Sequence, residues 1–152
     1  MESPRKIQES GGRLEASAVQ KSRYSVPRTK DVPPNRFFLG QTLAVILCPA
    51  KGGRVFGVTV DKADLPRVLN VGFWRVANTY PKHSFRLYAY TFVRENGERK
   101  RVYLHRFVTS APAGTEVDHR NHRGTDNRKT SNLTVCTHAD NMKNQRRFRS
   151  RV

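Results

Sequence analysis

Residues 117–144 read V-D-H-R-N-H-R-G-T-D-N-R-K-T-S-N-L-T-V-C-T-H-A-D-N-M-K-N, and this stretch decides how the chain is built. Residues 116–118 predict a short apolar strand with the pair Asp118-His119 at its end. A turn rich in Gly, Asp and Asn follows, and Asn132 opens the antiparallel partner strand over residues 133–136. Thr137 is a good helix N-cap, and Asp140, three residues on, completes a capping-box pattern for a helix over residues 138–148. A carboxylate, an imidazole and the amide of Asn141 are thereby carried on one strand–turn–strand–helix unit. Within it, Asp126 and Asn127 read as ordinary turn residues, and His138, in the first helical turn, as a solvated side chain.

Upstream, residues 105–110 predict a helical turn leading into the tight turn Ala111-Pro112-Ala113-Gly114. Residues 86–94 and 99–104 read as strands joined at Asn96-Gly97, since both central positions of a type I′ turn need positive φ. The aromatic residues there, Tyr88, Tyr90 and Phe92, are expected to fill the core of a small sheet rather than to stack on bases. Further strands are expected at 73–77, at 54–60 and, as one apolar run closed by Pro49 and the turn 51–53, at 37–47. Asp61 is expected to cap a short helix over 62–69, with Asp64 at its third position and Pro66 near its start. Residues 1–36 mix Ser, Gly, Pro, Lys, Arg and Glu without a period and read as a flexible basic arm ending at Pro33-Pro34. There are no internal repeats, heptads or Gly-rich phosphate loops.

Composition narrows the partners. At 152 residues the chain suits one domain plus tails, and a hydrophobic content of 36% predicts a modest core. Twenty-nine Lys and Arg against twelve Asp and Glu leave a formal charge of +17, which calls for a polyanionic partner. An anionic membrane is the weaker candidate, because the basic residues alternate with Asn, Gln and Thr and present no amphipathic apolar face. The two cysteines, Cys48 and Cys136, lie far apart with no C-x-x-C pair, against a disulfide framework or a cysteine zinc site. No apolar run reaches the roughly 18 residues of a membrane span, and the start is not a secretory signal. A soluble, cytoplasmic protein is expected.

The segment from 104 to 144 resembles the HNH family of nucleases, the His-Me finger group, in its phage and intron-associated homing type. The matching pieces are L-H-R at 104–106, E-V-D-H at 116–119, D-N-R at 126–128, S-N-L at 131–133 and T-H-A-D-N-M-K-N at 137–144. The preceding D-K-A-D-L-P-R-V-L and Y-A-Y-T-F-V look like the sheet that leads into the motif, so the resemblance spans residues 54–146. It implies an α+β fold in which a small antiparallel β-sheet region (37–104), expected to contact DNA, is followed by a ββα-metal module (105–152), a hairpin packed on a helix around one divalent metal. It further implies Asp118 and Asn141 as ligands of one Mg²⁺ or Mn²⁺, His119 as the general base for the attacking water, and Asn132 as the residue that ties the loop and holds the base. Carboxylate and amide oxygens suit a hard cation, and imidazole suits proton transfer near neutral pH. The turn after the Asp-His pair, Arg120 to Thr125, departs from the family by being one residue longer and more basic, and it adds His122 as a rival base.

The leading expectation is therefore a metal-dependent endonuclease of double-stranded DNA, monomeric or weakly homodimeric, from a bacterial or phage-infected host cell. Phosphate contacts are expected from His105 and Arg106, from Arg120, Arg123, Arg128 and Lys129 around the turn, and from Lys143, Asn144, Arg146, Arg147 and Arg149 on the last helix. The competing expectation is a non-catalytic basic module that binds DNA or RNA. A ribosome-associated basic protein is the third, with no motif of its own.

Overall fold

Alternation builds the first sheet. The computed structural model describes residues 35–79 and 86–149, with side chains as far as Asn144. Ala44, Ile46 and Cys48 are fully buried along β2 (Leu43–Pro49), and Val58 and Val60 along β3 (Val55–Asp61). The two pair antiparallel from Leu43 opposite Asp61 to Pro49 opposite Val55, the register that puts both apolar sets on one face. The run 37–47 is not the single strand expected. β1 (Phe37–Leu39) stops at Gly40, the chain reverses, and β1 pairs back along β2. Gly40 N donates to Leu43 O at 2.8 Å and closes that reversal. A two-residue strand, β8 (Asp126–Asn127), adds to the far edge parallel to β3, so this sheet is not wholly antiparallel.

Residues 1–34 of the expected arm lie outside the described residues. Asn35, which that arm was to include, is buried and ties β2 to Trp74. Its Nδ2 donates to Leu47 O (3.0 Å) and Trp74 O (2.9 Å), and its Oδ1 accepts from Trp74 N (2.7 Å).

Beyond β3 a 3-10 turn (Lys62–Asp64) leads into α1 (Leu65–Val71), with Pro66 in the first turn, where its missing N–H is no loss. Asp61 does not cap this helix as expected. Its carboxylate accepts instead from Thr130 N (3.0 Å) and Thr130 Oγ1 (2.9 Å), 69 residues away. Leu65, Val68 and Val71 are buried at a spacing of three, beside Trp74, whose indole donates to Val68 O at 2.8 Å.

The second sheet is β4 (Arg75–Asn78), β5 (Leu87–Glu95) and β6 (Glu98–Tyr103), antiparallel throughout. Asn96 and Gly97 turn it with φ of +51° and +83°. Ala89, Thr91 and Val93 face the core, so period two sends Tyr88, Tyr90 and Phe92 to the other face. The aromatic residues of β5 thus do not fill the core, contrary to the sequence reading. Trp74, fully buried and 5.9 Å from the Phe107 ring, supplies its aromatic bulk.

α2 (Leu104–Thr109) buries Leu104, Phe107 and Val108 and ends in a Schellman turn. Ser110 adopts a left-handed φ of +52° while its N–H donates to Phe107 O and that of Ala111 to Arg106 O, both at 3.2 Å. β7 (Glu116–His119), β8, β9 (Leu133–Cys136) and α3 (His138–Arg149) complete an α+β chain of mostly strands, with three α-helices among the described residues. None of its described helices is long and apolar enough to cross a membrane.

Candidate functional site

β7 and β9 pair antiparallel from Glu116 opposite Cys136 to His119 opposite Leu133, and α3 departs from Thr137. The cap is reciprocal. Asp140 N donates to Thr137 Oγ1 at 3.2 Å, and that hydroxyl donates to the Asp140 carboxylate at 2.7 Å.

Glu116 and Asp118 alternate onto one face of β7, while Asn141 and Asn144, three apart, share a face of α3. Asn141 Nδ2 donates to Glu116 Oε2, and Asn144 Nδ2 donates to Asp118 Oδ2. Sequence reasoning joined Asp118 to Asn141, whereas the side chain set against Asp118 is Asn144. The cause is register. Contacts advance along both elements together, and a two-residue strand step of about 6.6 Å is met by the next helical turn rather than the same one.

His138 is exposed, as expected, and its Nδ1 lies 2.6 Å from Glu116 Oε1. Hydrogen bonds from Asn141 and His138 hold the Glu116 carboxyl below its usual range. Burial, with Asp118, Glu116 and Asp140 nearby, pushes the Cys136 thiol up. Acidic groups gather at this end of a basic chain. Cys48, sealed in the core, is pushed up to about 12 by burial and is inert.

His119 is 5% exposed. Its ring packs at 5.2 Å from His105 and 5.7 Å from Tyr88, and His105 stacks on Tyr103 at 5.6 Å. Burial lowers the His119 pKa, against the opposing pull of Asp118 and Asp126. Burial, then His119 and Arg106, pushes His105 down to about 3. His119 Nε2 and Asn127 Oδ1 are both buried without a hydrogen-bond partner. Asn127 is no turn residue. It is fully buried on β8, opposite Val60, and its amide reaches Gly124 O at 3.3 Å. Glu116, Tyr88, Tyr103 and Asn127 are the site residues that sequence reasoning missed. Only the alternation of β5 and β6, read as an outward face, could have pointed to the two tyrosines.

The loop between β7 and β9 is braced from within. Asn132, 3% exposed, accepts from Asn121 N at 3.0 Å and donates to Asp126 O at 2.7 Å, bridging the loop at both ends. Asp126 is likewise no simple turn residue. It receives Arg128 Nε (2.8 Å), Arg128 Nη2 (2.7 Å) and Asn121 Nδ2 (2.7 Å). Burial alone would raise its carboxyl, but these donors hold it below the usual range. His122 closes the first turn with φ of +58°, its N–H donating to His119 O at 2.8 Å.

The basic residues assigned to phosphate divide by what they touch. Arg106 holds the turn after α2 through Thr115 O (2.6 Å), Pro112 O (2.8 Å) and Ala111 O (3.3 Å). Arg128 is clamped on Asp126, Arg120 Nε donates to Thr134 Oγ1 at 2.8 Å, and Lys143 pairs with Asp140 at 3.2 Å. His105 is lodged among rings and Asn144 lies on Asp118, while Arg123 and Lys129 are exposed. The side chains of Arg146, Arg147 and Arg149 lie outside the described residues.

The donor set suits a hard divalent cation, since Asp118 and Glu116 offer carboxylate oxygens. An amide turned by 180° exchanges Nδ2 for Oδ1, so Asn144 can set an oxygen beside Asp118 without moving backbone. Among the described residues no three His, Cys, Asp or Glu side chains converge on one point. That is compatible with Mg²⁺, which keeps several waters and takes few protein ligands. Compared with known proteins, the chain matches no family model, no curated protein and no solved structure.

Proposed function

We propose that the chain is a metal-dependent endonuclease of double-stranded DNA whose site lies between β7, the loop after it and α3. The observation that carries this reading is the Asp118–Asn144 pair next in sequence to a buried, loop-braced His119. Asp118 and Asn144 would hold one Mg²⁺ or Mn²⁺, with Asn141, the sequence-based choice, one turn back on Glu116. When bound, such a cation stabilises charge developing on the phosphodiester and its leaving oxygen. His119 would take a proton from the attacking water. Nε2 is buried without a partner, so Nδ1 would be the nitrogen that accepts. Asn132 holds the loop and so the ring. Water adds to phosphorus, the bond to the 3′ oxygen breaks, that oxygen takes a proton from solvent water, and the products carry 5′ phosphate and 3′ hydroxyl ends.

The test is supercoiled plasmid conversion with Mg²⁺, Mn²⁺ or EDTA, for the parent and His119→Ala in parallel. Metal-dependent nicking or linearisation reduced by about 10²–10⁴-fold in the variant supports the base. Equal cutting by both would remove His119 from the role. The depth of His119 favours a second reading, a non-catalytic basic module that binds DNA or RNA. That reading predicts undiminished DNA binding in EDTA and no cutting by either protein.

A further inference from the structure

The outer face of the second sheet segregates charge. By register, Arg75 on β4, Arg94 on β5, and Arg99 and Arg101 on β6 share the face of Tyr90 and Phe92. All four arginines are exposed. Both carboxylates of the hairpin, Glu95 and Glu98, stand opposite each other on the reverse side, where Glu95 pairs with Lys100 at 2.6 Å. None of the four arginines has a carboxylate within salt-bridge distance among the described residues. Arg94 faces Arg99 directly across the hairpin, a like-charge pairing that costs stability unless an anion lies between them.

The arginines are laid on rings. The guanidinium carbon of Arg99 sits 3.8 Å from the Phe92 centroid, that of Arg101 4.8 Å from Tyr90, and that of Arg75 5.1 Å from Phe73. A guanidinium stacked on a ring is held in one plane, is weakly hydrated, and keeps its N–H edges free to meet an anion. Those rings are covered and so are closed to stacking bases, which argues against a single-strand platform. The same face ends at Tyr88 and Tyr103, whose rings contact His105, with Tyr88 also against His119. From Tyr103 to Arg99 is about 13 Å of strand.

We propose that the outer face of β4–β5–β6 is a duplex-DNA docking track, in which aromatic rings pre-orient arginines onto backbone phosphates and lead the duplex to the His119 site. The proposal rests on the DNA-binding part of the function proposed above, not on its chemistry. The experiment is binding of the full chain to a fluorescein-labelled duplex, followed by anisotropy in EDTA over a salt series, with metal-dependent plasmid cutting by the parent scored separately. The double variant Arg99→Gln/Arg101→Gln should lose about tenfold or more in affinity, and its slope of log K against log salt should flatten by about two. Arg99→Lys/Arg101→Lys keeps the charge and removes the stacking. It should bind between parent and Gln variant, with the parent's slope. Lys100→Gln, on the reverse face, should bind within about twofold of the parent.

Unchanged affinity and slope in the Gln variant would overturn the track. Parent-like binding by the Lys variant would overturn the pre-orientation. Tighter binding of single-stranded DNA or hairpin RNA than of the duplex would overturn the occupant. Loss of binding in the Gln variant with a parent that never cuts would sink the nuclease reading and leave the track standing, and the reverse pattern would do the opposite.

Discussion

His105 has a ring packed between Tyr103 and His119 and an Nδ1 buried without a partner, so its neutral form is the one the fold accommodates. Its pKa falls to about 3 in the folded chain, against about 6.5 when unfolded. Between those values the unfolded state binds the extra proton, so stability is full above the unfolded pKa and falls as pH drops, by about 1.4 kcal/mol per pH unit for this group. Urea unfolding of the parent from neutral to acid pH should show that limb, and His105→Phe should flatten it. A limb of unchanged steepness in the variant would assign the acid sensitivity elsewhere. The two helix amides separate at the same scale. If the cation is held from Asn144, then Asn144→Ala should weaken Mn²⁺ binding, read by its paramagnetic resonance signal, by about tenfold or more. Asn141→Ala should weaken it by less, and the reverse order would restore Asn141 as the ligand.

At the scale of elements, the loop from β7 to β9 meets β5 through Gly124. A Cβ there would stand 2.3 Å from Leu87 O and 2.8 Å from the Tyr88 ring, and the backbone oxygen cannot give way. Gly124→Ala should therefore cost about 1–3 kcal/mol or more in urea unfolding. Gly52→Ala, with open space and only its φ of +80° to strain it, should cost about 1–2 kcal/mol. A Gly124→Ala cost below about 1 kcal/mol would mean that the loop gives way freely. What sequence could show follows the same division. β7, β9, the Thr137 cap and the Asn96-Gly97 turn each rest on residues adjacent in the chain, and all were legible. Asp61 holding Thr130, the two-residue β8 beside β3, and Asn127 beneath His119 depend on partners that only the fold brings together. The β1–β2 reversal was hidden because Gly40 is the single turn signal inside an apolar run. The Asp118–Asn144 pairing was hidden because strand spacing and helix spacing are each readable alone, and their relative register is not.

Across the whole molecule, the charge of +17 is not spread evenly. Acidic groups collect where β7 meets α3, while the arginines on the outer face of the second sheet have no carboxylate within salt-bridge distance among the described residues. A polyanion meeting such a surface releases counterions in proportion to the phosphates it seats, so each region should appear as its own increment of salt dependence. Residues 146–152 contain Arg146, Arg147, Arg149 and Arg151 and no acid. Deleting them should weaken duplex binding and flatten the salt slope by about 0.9 for each arginine that had met a phosphate. Combined with Arg99→Gln/Arg101→Gln, the deletion should flatten the slope by the sum of the two separate effects, because sites that share no partner act additively. A combined effect no larger than either alone would mean that the two regions compete for the same phosphates rather than hold successive parts of one duplex. A slope unmoved by the deletion would leave the sheet face as the principal electrostatic contact.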